Sequence, residues 1–331
     1  MSAERAIVYY ESAQSQRPFE VMTDTGDRTQ FEAAASPWSG ASGYEPLVRP
    51  YGLATGGQIT PASTADTVSV AAATVYMADH ASADSTGMVA VSGDEVSVSR
   101  GTEMSPNKIT SIIVDSNGEF AALAGTAGSS FSEQRGSNGG PPYIPVDAIE
   151  IGQVRLSSDT AGAVAENEVM QVVGIHQERT DYPVWEVSRT HGEVHFAEPL
   201  PAIHTGDEPK RVVARYATPI FAAIPRASDW TPAETSHSLS STPIYGGAIG
   251  SSSASINQAS FTAYLDDGIR DGFLALKNAR LWFRFHPDRN RSVPHQLTNG
   301  VMGISRSFPA DGGITAEVTI SPEEATVDVR E

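Results

Sequence analysis

The stretch FTAYLDDGIRDGFLALKNARLWFRFHPD, residues 261–288, changes its hydrophobic period part-way, and that change sets the expected fold. Ile269, Phe273 and Leu276 recur at i, i+4, i+7, with Leu265 one turn earlier, which is the spacing of a single apolar stripe on a helix. Asp266 and Asp267 stand where an N-cap and a first-turn acid belong, and Lys277 and Asn278 suit the last turn and the exit. A helix is therefore expected near 266–278. Beyond it Leu281, Phe283 and Phe285 alternate with Trp282, Arg284 and His286, the period of a strand with one buried face. With VMGISRSF and GGITAEVTI following, the last quarter predicts one amphipathic helix laid on antiparallel strands, and nothing in it looks catalytic.

Working outward, 331 residues make a natural length for two domains, and 40% hydrophobic residues suffice for packed cores. Glycine (29) and proline (21) are plentiful, and Val, Ile and Thr recur in short runs, so the expected class is mainly β, a β-sandwich or partial barrel with one flanking α-helix. The net charge of −18 repels phosphates and argues against tight or sequence-reading DNA binding. The same charge suits a surface that nucleic acid must pass without sticking, although solubility alone explains it more simply. With no cysteine, disulfides and thiolate metal sites are excluded. MSAERAIVYYESAQ lacks a signal-peptide pattern and no 18-residue apolar run exists, so a soluble protein made in the cytoplasm is expected.

Residues 1–60 carry the short strand RAIVYY and then a loop-rich strap in which Trp38, Tyr44 and Tyr51 are the expected anchors. Residues 61–165 look like an inserted β module. In it Val96 and Val98 alternate with Ser97 and Ser99, and Asn117-Gly118 promises a tight primed hairpin turn. The apolar phase of IEIGQVRL slips between Ile151 and Val154, and a bulge near Gly152 restores both pairs to one face. Residues 166–331 form the expected main domain, with strands in EVMQVVGI, PVWEVS, GEVHF and RVVARYATPIF. The Ser/Gly-rich segment around 236–256 has too few apolar residues for a core element and is expected to be a long loop, an arm toward a neighbouring subunit.

The search for chemistry comes back empty. Asp24-Thr25-Gly26 matches the aspartic-protease tripeptide, but that chemistry needs two such carboxylates and an Asp-Thr-Gly-Asp turn explains it. His191 and His195 would lie about 13 Å apart on one side of a strand, too far for one ion. Asp266 and Asp267 are better explained by helix capping than by paired-acid catalysis, and Ser236-His237 lacks a nucleophile-elbow context. No catalytic, cofactor-binding or metal residue is assigned. Arg284, Arg289, Arg291, His286 and His295 form a basic cluster that suits either inter-subunit ion pairs or a solvated loop.

The ending IRDGFLALKN, ARLWFRFHPD, then GVMGISRSFPADGGITAEVTISPE resembles the major tail tube protein of long, flexible-tailed bacteriophages. YGGAIGSSSASINQASFTAYLDDG is similar to tube proteins of flagellum-seeking phages, and GGPPYIPVDAIEIGQVRL resembles β modules inserted in several phage tail proteins. The resemblance covers 165–331, and the chain departs from many tube proteins by its extra length in 61–165. It implies six subunits closing a ring by head-to-tail contacts, with sheets merging around a lumen, and rings stacking helically into a tube in the virion. It further implies partners: a tape-measure protein inside the tube, tail terminator and tail-tip proteins, and double-stranded DNA passing without specific binding. Acids facing the lumen would keep DNA from sticking, with Glu186, Glu193 and Glu317 as candidates. Assembly would take place in the host bacterial cytoplasm, with no membrane partner. The competing classes are a host-surface glycan or receptor binder built on 61–165, and a hydrolase with an unfamiliar motif.

Overall fold

The computed structural model describes residues 5–178, 185–245, 247–268 and 270–330. The chain is mainly β, with several separate sheets. The largest is eight-stranded and runs Ala217–Ile224, Ile7–Gln16, Arg280–His286, His295–Ser307, Thr315–Pro322, Ala259–Tyr264, Ala227–Thr231, with Val327–Val329 added beside His295–Ser307. Every step along this path is antiparallel, and there are six of them. The first and last strands therefore point the same way, yet only Pro225 and Arg226 separate them in sequence. They are one continuous strand, bent at Pro225, that serves as both edges of the sheet. Tyr264 N donates to Arg226 O at 3.0 Å and carries the second ladder across the bend. A sheet whose edges are one strand curls into a small barrel.

Phe261, Phe283, Met302, Val318 and Ile320 fill that barrel, all essentially inaccessible. Trp230 stacks on Phe285 at 5.4 Å, and Phe261 meets Phe283 at 5.9 Å. Gly300 is required where strands meet most closely, since a Cβ there would lie 2.5 Å from the Ser321 carbonyl oxygen. The face of Arg280–His286 expected to be wet is covered as well. Trp282, on that face, is buried and its indole N–H donates to Trp38 O at 2.7 Å.

Trp38 belongs to a second core, shared by two sheets. One holds Thr23–Gly26, Gln30–Glu32, Trp185–Ser188 and Glu193–Phe196; the other holds Glu20–Val21, Leu47–Pro50 and Val212–Arg215. A third core runs from Tyr51 to Val164 with Val213, and takes in the Val96/Val98 face. The chain thus starts in the barrel, passes through the second core to the third, and returns in reverse order. The expected anchors Trp38 and Tyr51 are buried in the second and third cores, and Tyr44 is half-buried.

The expected α-helix near 266–278 is corrected to a single 3-10 turn, Gly272–Leu276, and among the described residues no helix reaches seven residues. Ile269 lies outside the described residues. Local polar contacts defeat the stripe: Asp267 accepts from Arg270 N (2.6 Å), and Asp271 accepts from Asp266 N (3.2 Å) and Gly268 N (3.0 Å). Short acidic side chains that bond nearby backbone compete with helix, and Gly268 at φ 72° and Asn278 at φ 68° take the chain out of the helical region. The apolar residues still point inward, with Phe273 and Leu265 both buried.

Other details also separate pattern from outcome. The bulge stands where the phase slip put it: Ile112 faces Gly152 and Ile113 faces Glu150, leaving Ile151 as the extra residue. The Asn117-Gly118 turn is not a primed two-residue turn. Only Gly118 has a positive φ, 76°, and Asp115 N donates to Glu119 O across a three-residue loop. EVMQVVGI contributes only Val169–Met170, because Gly174 at φ 80° turns the chain and leaves Val172, Val173 and Ile175 exposed.

Phe283→Ala should cost about 3–5 kcal/mol in chemical denaturation. Phe283→Asp, which places an unpaired charge in the barrel core, should yield no soluble folded protein. A well-folded Phe283→Asp chain would show that the strand faces are reversed.

Candidate assembly interface

The Ser/Gly-rich segment is not a loop. Thr235–Ile244 and Gly247–Ile256 pair in ten antiparallel steps from Thr235↔Ile256 to Ile244↔Gly247. Alternation of small residues is enough for a ladder, because a two-stranded ribbon without a core asks only for extended backbone and paired hydroxyls. Ser236 Oγ meets Ser255 Oγ at 3.0 Å, and Ser238 Oγ meets Ser253 Oγ at 2.6 Å. Asn257 N donates to Glu234 O at 3.0 Å, so the ribbon prolongs the barrel's own Ala227–Thr231/Ala259–Tyr264 pair. It extends about 33 Å at ~3.3 Å per residue. Among the described residues no third strand joins it, and Tyr245 at its end is fully exposed. An isolated two-strand ribbon is marginal in water, and its outer edges offer unpaired N–H and C=O groups.

At the ribbon's root, clefts flank the bend at Pro225. One, of about 360 Å³, is lined by Tyr10, Tyr264, Asp266 and Phe273; the other, of about 530 Å³, by Ile7, Trp230, Phe285 and Arg289. The basic residues partly come together beside the larger cleft. Arg284 lies over Tyr9 (5.1 Å) and Phe221 (4.3 Å), and burial pulls its guanidinium pKa down. His286 and His295 stack at 4.9 Å, with Tyr9 edge-on to His286. Their Nδ1 atoms lie on the carbonyl oxygens of Arg291 (3.1 Å) and Ser292 (2.9 Å), so each Nδ1 carries the proton. Burial pushes both imidazoles below the usual histidine value. Arg289 N donates to Arg5 O at 2.8 Å, while the Arg291 side chain is mostly exposed, 4.0 Å from Asp288.

The remaining sequence candidates separate. Asp24 accepts from Gly26 N (3.0 Å) and Arg28 N (3.1 Å), fixing a turn. His191 sits in the turn between two strands, and His195 contacts Glu193 at 3.2 Å. Asp266 pairs with Arg226. Ser236 and His237 lie on the ribbon. Glu186 and Glu317 are exposed on strands, and Glu193 is partly covered by its contact with His195. Among the described residues no three His, Asp or Glu side chains converge as metal ligands.

One cluster has no counterpart in the sequence reading. Lys210 Nζ donates to Glu178 Oε1 at 2.6 Å, with both side chains buried. Glu178 N donates to Glu150 O (2.9 Å), and the Glu150 carboxylate takes Ser111 Oγ (2.6 Å), Gln153 Nε2 (3.0 Å) and Arg135. Burial raises the Glu150 pKa against the opposing pull of Arg135. His204, whose Nδ1 lies 3.0 Å from Ile144 O, is pushed down by burial. Two acids and two bases balance, and neither cleft at the barrel includes them, so the arrangement is a structural tie. The sequence signal for it was Glu150 standing between Ile149 and Ile151 in a strand that is buried almost throughout.

Comparison with protein-family models and with curated proteins finds no match to this chain.

Lys210→Ala should destabilise by about 3–5 kcal/mol, because it strands the buried Glu178 charge. Lys210→Met with Glu178→Gln, which removes the charge and keeps an acceptor for the Glu150 backbone N–H, should recover much of that loss in the same denaturation series. His176, His204, His286 and His295 all bind protons more weakly when folded. Below about pH 6.5 the unfolded chain therefore takes up more protons and these groups cost stability; Glu150 acts oppositely. A His286→Gln/His295→Gln double variant should lose less stability than the wild type between pH 7.5 and 5.5. An equal loss would mean the stacked pair does not titrate as its burial requires.

Proposed function

We propose that the chain is a self-assembling structural subunit, the tube-forming protein of a bacteriophage tail. The observation that carries this reading is the ribbon: a projecting, core-less pair of strands that no third strand joins among the described residues, rooted in the barrel. Such an arm gains stability by adding to another copy's strands, and a head-to-tail contact of this kind repeats until it closes a ring or continues as a filament. In the proposed tube, six copies close a ring, rings stack helically, and DNA passes through the lumen during ejection. The net charge of −18 supports a wall to which DNA does not adhere, with Glu186 and Glu317 as exposed strand acids available for it. A tape-measure protein would set the length, and terminator and tip proteins would cap the ends, all assembled in the bacterial cytoplasm.

A second reading has its own observation. Phe131 and Tyr143 are exposed in a Ser/Gly-rich loop of the third core's module, with Met104 exposed elsewhere on that module, a surface suited to a glycan or receptor on the host. Saturable binding of the whole chain to host cells, lost on Tyr143→Ala, is what that reading expects.

Negative-stain electron microscopy of concentrated protein separates the two. Hollow tubes of uniform width or stacked rings support the tube; monomers at every salt and concentration count against it. Deleting 236–256 should spare the monomer fold, because Thr235 pairs with Ile256 and Asn257 N donates to Glu234 O, so the cut ends already lie next to each other, and should abolish assembly. Normal tubes from that deletion would remove the ribbon from the assembly mechanism.

A further inference from the structure

Among the described residues, the ribbon ends in an exposed aromatic side chain, and the barrel carries a groove with aromatic walls that no described side chain fills. Tyr245 stands at the ribbon's end with its whole side chain in solvent. The groove of about 530 Å³ beside Pro225 has Ile7, Ile224, Trp230 and Phe285 in its lining, with Arg226 and Arg289 among the residues that border it. Its walls are stacked aromatics in a fixed arrangement, Trp230 on Phe285, with the Trp230 indole N–H held by Gln296 Oε1 at 2.8 Å. An aromatic ring with a polar tip suits such a site: the ring stacks on the apolar wall and the hydroxyl stays near the guanidinium groups.

Thr231 ends the barrel strand that borders the groove, and ten consecutive ribbon pairs beginning at Thr235 hold Tyr245 about 33 Å beyond the ribbon's start, away from the groove of its own chain. We propose that Tyr245 of one copy docks in the Pro225-side groove of a second copy of this chain. The inference rests on the self-assembly reading and adds to it a specific knob and hole. The contact is heterologous, since tip and groove are different surfaces of the same molecule, and it therefore propagates from copy to copy. Its geometry sets a limit. Fully extended strand from Trp230 to Tyr245 spans at most about 50 Å, so successive copies joined this way stand no further apart along the ribbon.

The chain's lack of cysteine makes the test direct. Two single variants of the full chain, Tyr245→Cys and Ser228→Cys, are mixed under mild oxidation at concentrations well over about tenfold above those at which the wild type assembles, to offset the loss of the ring. Ser228 lines the groove, and Ser85→Cys, exposed on the third core's module, is the control partner. A disulfide joining two chains through positions 245 and 228, with none between 245 and 85, is expected. In parallel, Tyr245→Ala should raise the concentration needed for assembly about tenfold or more, and Tyr245→Phe should stay close to wild type. Circular dichroism of each variant confirms that the barrel is folded. Tubes or rings that form without the 245–228 cross-link, and are indifferent to Tyr245→Ala, overturn the docking while leaving the assembly reading intact. A wild-type chain that never assembles overturns both.

Discussion

A β-sheet must do something with its edges, and here one bent strand takes both. Residues 217–231 pair with Ile7–Gln16 before Pro225 and with Ala259–Tyr264 after Arg226. Proline at the bend has no N–H to leave unpaired, so the turn costs no ladder bond there. Closure by this route traps Phe261 and Phe283 inside and gives each half of the closing strand a ladder partner. It also fixes where the ribbon starts, because the same strand that closes the barrel runs on into the arm.

The rest of the chain hangs from that barrel as nested insertions. A bulge after Glu11 turns its buried carboxylate toward Ser39, Gln14 Nε2 (2.9 Å) and the backbone N of Trp282 (3.0 Å). One side chain thereby replaces a missing ladder bond and links the barrel to the second core, alongside the contact of Trp282 with Trp38. The Lys210–Glu178–Glu150–Arg135 cluster does the same between the second and third cores, where the backbones of Glu178 and Glu150 also bond. Both ties are polar, buried and satisfied by several partners. Losing a single partner from either leaves a charge in a low-dielectric setting.

These ties explain the economy of the surface. With the cores tied to each other, the ribbon, which no third strand joins among the described residues, and the groove of about 530 Å³ stay open at the barrel. Both lie on the element that closes the sheet. Assembly, in the proposed function, is thus carried by the continuation of the closing strand rather than by a separate domain.

Local pattern determined much of this chain. The alternation of Leu281, Phe283 and Phe285, the bulge beside Gly152 and the burial of Trp38 and Tyr51 follow from period and residue type, which any β context would respect. The mainly-β class follows from the same runs. Tertiary structure decided the remainder, because it depends on partners distant in sequence. The apolar stripe at 265–276 fits a helix by spacing, yet Asp267, Asp271 and Gly268 make a looped crossover that buries the same residues. The small residues of 235–256 permit a ladder without fixing its register, which follows from the barrel hairpin beneath them. Glu150, Glu178 and Lys210 give no hint in sequence of meeting, since 60 positions separate the first from the last and only the folded chain brings their charges together.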